Sequence, residues 1–165
     1  MAGTDVVESD VLERVLGAAM RTGGEFAEVF IEDKRSTMAA LDDGRIEQVT
    51  SGRDRGAGIR VVKGDTTGFA HTADLSEAGL RSAAEAAAAA ASQGNGGENI
   101  VALTRQPEHR VSPVQRYADD VPKTEKVALL QRVDEAARAS GGAIVQVSAG
   151  YGDSRKRIQI GRAHV

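Results

Sequence analysis

The side chains that most often carry chemistry are few in this sequence, and their spacing does not assemble a site. The histidines are His71, His109 and His164. No two of them stand at the HExxH spacing that sets a pair of imidazoles on one helix face, and no carboxylate cluster beside His71 or His109 completes a facial metal site. His71 follows Phe69 and Ala70 and reads as a strand residue; His109 lies between Pro107 and Pro113 and reads as a surface residue. Cysteine is absent, which removes thiol nucleophiles, thiolate metal ligands and disulfides. Asp42 and Asp43 could form a carboxylate pair for acid–base work, but they run into Gly44, and Asp-Asp-Gly is turn chemistry. Glu28 and Glu32 share one face of an alternating stretch and read as a solvated face. The run Gly52-Arg53-Asp54-Arg55-Gly56-Ala57-Gly58 lacks the GxxxxGK[ST] phosphate-loop pattern. Gly56 and Gly58 lead into a strand, so no helix dipole would face a phosphate, and close backbone approach or a bulge is the expected role. Arg53, Arg55 and Arg60 form a basic cluster, read as solvated surface with an acidic partner as the sharper alternative. No GxSxG elbow and no informative Ser, His and Asp arrangement occurs. The expected catalytic, cofactor-binding and metal residues are therefore none.

The framework around these residues mixes helices and strands. Val11, Leu12, Val15, Leu16, Ala19 and Met20 repeat at helical spacing, which predicts a helix over 10–22, N-capped by Ser9 and ended by Gly23-Gly24. Alternation of Ala27, Val29 and Ile31 predicts a strand over 25–33, followed by strands at 35–41, 45–50, 56–62 and 66–72. Asp42-Asp43-Gly44 and Lys63-Gly64-Asp65 are the turn signals, and 51–55 reads as a polar connection. Short turns imply antiparallel pairing, so the stretch reads as a meander of about five strands. Asp74 with Glu77 resembles a capping box for a helix over 75–92, whose alanine run from Ala83 to Ala91 is broken only by Glu85. Residues 93–98 stop it, and 99–120 read as an extended excursion. A third helix is expected over 123–139, with Val127, Leu130, Val133 and Ala137 on its apolar face and Ser140-Gly141-Gly142 at its end. Residues 143–151 and 155–159 read as a hairpin turned at Gly152-Asp153 and cut short. The fold class is α+β.

The composition narrows the function classes. Hydrophobic residues make up 41% of the 165 residues and charged residues 27%, as in an ordinary globular domain. Aromatics are only 3%, so the core must be built from Ala, Val, Ile and Leu and should be modestly stable. The net charge of −3 argues against nucleic-acid binding. There is no leader pattern and no run of ~18 apolar residues, so no membrane contact is expected and the cytoplasm is the default location. Residues 160–165, Ile160-Gly161-Arg162-Ala163-His164-Val165, spell a one-frame translation of a widely used sequencing adapter. The domain is accordingly expected to occupy 1–159, with the native sequence departing near Gln159 and the tail set aside from fold reasoning.

The order of the segments is more telling than any one residue. Gly56-Ala57-Gly58-Ile59-Arg60-Val61, Gly64, Thr67-Gly68-Phe69-Ala70 and the Asp74 helix start together resemble the N-terminal signature of the TldD/PmbA metalloprotease family, also called modulators of DNA gyrase. Ser112-Pro113 and the helix with Lys126, Leu130, Arg132-Val133-Asp134 and Ala137 resemble that family's next segment. The likeness covers roughly residues 25–151, and Thr67-Gly68-Phe69-Ala70 with Arg132-Val133-Asp134 points to the TldD branch. The resemblance implies a two-domain subunit whose N-terminal α+β domain precedes a β-rich C-terminal domain. It implies zinc held by an HExxxH helix and a distant cysteine, both further along, with no cofactor site in this chain. It also implies a TldD–TldE heterodimer that cleaves unstructured peptides in a closed chamber, which the N-terminal domains help to enclose. The expected partners are thus a peptide substrate and a TldE/PmbA-type subunit. The alternatives are a fragment of a non-catalytic TldE/PmbA-type subunit, or a stand-alone module that adds a peptide to a strand edge.

Overall fold

The computed structural model describes residues 5–92 and 114–165. Their order is α1 (Ser9–Met20), β1 (Phe26–Asp42), β2 (Arg45–Lys63), β3 (Thr66–Thr72), α2 (Glu77–Ala91), a 3₁₀ turn (Ala118–Asp120), α3 (Lys123–Ala139) and β4 (Ser148–His164). The fold is α+β, and the sheet runs β3-β2-β1-β4. The strands are fewer and longer than the sequence suggests. Residues 25–33 and 35–41 join in β1, and the supposed connection at 51–55 lies inside β2. Residues 152–153 do not turn; they lie within β4, which begins only at Ser148. Residues 160–164 continue that strand. The excursion expected over 99–120 falls largely outside the described residues, as do the 93–98 stop, His109 and Ser112-Pro113.

Among the described residues, two compact units separate. One holds 5–33, 55–92 and 157–165, the other 34–54 and 114–156. In the first, β2 and β3 pair antiparallel from Ala57↔Thr72 to Lys63↔Thr66 across a turn at Gly64, where φ is +53°. A hydrogen bond from Val165 N to Glu25 O ties the end of β4 to the start of β1, so this pair too is antiparallel. Ala27, Val29, Ile31, Ile59 and Val61 point to one face and meet Leu12, Val15, Leu16, Ala19 and Met20 of α1. Leu80, Ala83, Ala84, Ala87, Ala88 and Ala91 of α2 complete the layer. Each fully buried Val, Leu or Ile here contributes roughly 1.5–3 kcal/mol. The alanines of α2 contribute closeness: a Cβ on Gly68 would stand 2.0 Å from the Ala87 carbonyl oxygen.

The caps differ from expectation in two places. Ser9 is the first residue of α1, and its N-cap is Glu8, without a side-chain bond. The N-cap of α2 is Ser76, whose hydroxyl accepts from Gly79 N at 3.2 Å. Asp74 sits two residues earlier and accepts from Ser76 N at 2.9 Å, an Asx turn that leads the chain into the helix. Glu77 is drawn away from any capping box by Arg14, whose Nε lies 2.7 Å from it.

In the second unit, Ala39, Leu41 and Leu130 form the core, with Ile46, Val49, Ala149 and Tyr151 against it. Ile46 and Val49 are three apart on one strand yet touch the same cluster. The β1–β2 turn has φ of +46° at Asp43 and +78° at Gly44, the left-handed pair of a two-residue hairpin. The helix over 123–139 is found as predicted, but its buried line is Lys126, Leu130 and Asp134. Val133 is exposed instead; Lys126 finds Asp153 and Thr37 on the strands, and Asp134 is held by Arg138 of the same helix.

Candidate functional site

The residues weighed for chemistry are consumed by structural contacts. Asp42 accepts from Gln146 Nε2 at 3.0 Å and from the Ser148 hydroxyl. These bonds, led by that from Ser148, hold its carboxyl below the ordinary range. Asp43 turns the other way and pairs with Arg138, which also holds Asp134 at 3.1 Å. The two carboxylates therefore serve different anchors and share no proton. Glu28 pairs with Arg60 at 3.6 Å and Arg162 at 2.6 Å. Arg60 also lies 5.3 Å from the centre of the Phe26 ring. His71 is exposed and stacks on Phe69, with ring centres 6.4 Å apart. Arg55 lies within electrostatic reach of Asp74.

A buried ion pair also lies where the sequence reading expected no site. Lys126 is 3% exposed, with Nζ 2.7 Å from Asp153 Oδ2 and 3.2 Å from the Thr37 hydroxyl. The Tyr151 ring centre lies 5.7 Å away. Burial acts to raise the Asp153 pKa, but hydrogen bonds from Lys126 and Tyr151 outweigh it, and the carboxyl sits below its ordinary value. Tyr151 donates to the same carboxylate, and its own phenol is raised. Desolvating two charges is offset only by complete pairing, and this pairing is what seats α3 on the sheet. In the first unit, Asp33 on β1 is similarly buried and meets Arg157 at 2.6 Å. Nearby in β4, Gln159 grips the N-terminal segment by accepting from Val6 N and Val7 N and donating to Val7 O. A lone lysine or aspartate among polar neighbours gives no sequence signal. Only the period-two positions of Asp33, Thr37, Tyr151 and Asp153 mark them as inward-facing.

None of these groups has the form of a metal or catalytic centre. Among the described residues, no three His, Cys, Asp or Glu side chains converge as metal ligands would. No helix among them is long and apolar enough to cross a membrane. What remains open is a surface. The face of the first unit's sheet opposite α1 and α2 carries Phe30, Phe69 and Ile158, all exposed.

The comparisons with known proteins agree with one another. A family profile described as PmbA/TldA metallopeptidase domain 1 matches residues 27–91. The metalloprotease TldD homologue of Haemophilus influenzae is 30% identical over 141 residues, covering 82% of this chain and 28% of that protein. The corresponding homologue of Buchnera aphidicola is 24% identical over 136 residues, again covering 82% and 28%. The chain thus spans little more than a quarter of the curated relatives it matches. Among solved structures, a Thermotoga maritima protein described as a modulator of a DNA gyrase superposes with a TM-score of 0.74 at 18% identity, covering 94% of this chain and 35% of its own. TldE from Thermococcus kodakarensis gives 0.62 at 18% identity, with 92% and 34% covered. At these identities the structures speak to the fold alone.

Proposed function

Because the chain belongs to the TldD/PmbA family and carries its first domain, we propose that it is the non-catalytic front part of a TldD-like zinc metallopeptidase. In this reading it acts in proteolysis of unstructured peptides, as a cytoplasmic protein. The observation that carries the reading is the domain-1 match over β1, β2, β3 and α2, the elements that build the first unit. The role of this part is to shape the substrate chamber and the interface with a TldE/PmbA-type partner. The TldD branch is supported by the curated relatives, both of which are TldD homologues.

The donor set here does not fit zinc. The chain has no cysteine, and among the described residues no ligand cluster forms. Zinc would be held by residues outside this chain, and no chemical step is assigned to any residue within it. The chain's contribution is positional: a helix-backed sheet whose buried Asp33, Lys126 and Asp134 each meet an opposite charge offers a rigid wall. The test is the native coding sequence beyond codon 159. An HExxxH motif and a later cysteine are the expected result. A family-length sequence without them would make the protein a TldE/PmbA-type partner. A stop near Gln159 would overturn the reading in favour of a stand-alone peptide-binding module.

A further inference from the structure

The chain contains three phenylalanines, Phe26, Phe30 and Phe69, and none of them is in the core. All three lie on the helix-free face of the first unit's sheet. Phe69 is the cross-strand partner of Arg60, and Arg60 reaches the Phe26 ring and Glu28 on the same face. Phe30 follows from the alternation that buries Val29 and Ile31 on the other face. Phe69 is 63% exposed, Phe30 38% and Ile158 51%. A small domain that builds its core from Ala, Val, Leu, Ile and Met places its largest apolar groups outside it. Aromatic side chains are enriched where proteins meet. On this face Glu28 pairs with both Arg60 and Arg162. Covering the face would therefore bury apolar surface without stranding that carboxylate.

We infer that this phenylalanine face is the seam against which the rest of a family-length subunit packs. The inference rests on the proposed reading of the chain as a front part. The occupant is chosen by length: curated relatives match this chain over only 28% of their own sequence, so most of a relative lies outside it. Among the described residues of the first unit, the bare face holds the exposed phenylalanines together with Ile158.

The test is hydroxyl-radical footprinting of two samples. One is the 165-residue chain; the other is a family-length polypeptide with this chain as its front segment and the remainder from the H. influenzae relative. Phe30 and Phe69 should oxidise severalfold more slowly in the longer protein, while Met38, 64% exposed in the second unit, serves as the internal reference. The Phe30→Ser, Phe69→Ser double variant should leave the melting temperature of the chain alone unchanged and lower that of the longer protein. Equal oxidation in both samples would overturn the inference, as would equal effects of the variant in both. Concentration-dependent protection of Phe30 and Phe69 in the chain alone would overturn it in favour of a second copy. None of these readouts depends on zinc or peptidase activity, so they succeed or fail separately from the catalytic reading.

Discussion

Lys126 decides how α3 is seated. Its ammonium is buried with Asp153, Thr37 and Tyr151 as its only compensation. Lys126→Met leaves Asp153 buried without its cation and should cost about 3 kcal/mol in urea unfolding. The double change Lys126→Met, Asp153→Leu should recover most of that loss, since a well-packed apolar pair needs no desolvation. The pH dependence has a definite sign. The folded Asp153 titrates below its ordinary value, so its contribution is complete above an unfolded pKa of about 3.9 and is lost as pH falls through the lower folded value. The gap between the parent chain and Lys126→Met should therefore be widest at neutral pH and close below pH of about 4. Unfolding curves between neutral and strongly acidic pH check it.

At the scale of elements, glycines separate close packing from open strand. A Cβ on Gly68 would lie 2.0 Å from Ala87 O and 2.6 Å from Ala91 N, both backbone atoms that cannot swing aside. Gly68→Ala should cost about 3 kcal/mol or prevent α2 from docking, seen as lost helicity and an earlier denaturant midpoint. Gly150 in β4 meets nothing within 4 Å, and Gly150→Ala should be neutral or slightly stabilising. The same comparison shows what was legible in the sequence. The turns at Asp43-Gly44 and Gly64 were legible because left-handed backbone demands those residues. The bounds of α3 were legible, but its apolar period was not its buried face: Leu130 is buried, while Val133 is exposed and Lys126 and Asp134 lie inward. The joins inside β1, β2 and β4 were not legible, because inward positions there hold Asp33, Thr37 and Asp153, which look like breaks until their distant partners are known. Lys126 and Asp153 are brought together only by the fold. The continuity of β2 was hidden by Ser51 to Arg55, a polar run that is exposed throughout and so carries no alternation.

At the scale of the molecule, the described residues form two units with paired interior charges, and one sheet face leaves Phe30 and Phe69 exposed. The family reading rests on the domain-1 match and the TldD homologue, and the proposal built on it places zinc on residues outside this chain. The most direct measurement is zinc content and peptide cleavage by the purified 165-residue chain, using an unstructured peptide with and without added zinc. The account predicts no stoichiometric zinc and no cleavage above background, with both appearing when the chain is joined to a TldD-type remainder. Stoichiometric zinc or metal-dependent proteolysis by the 165-residue chain alone would contradict it.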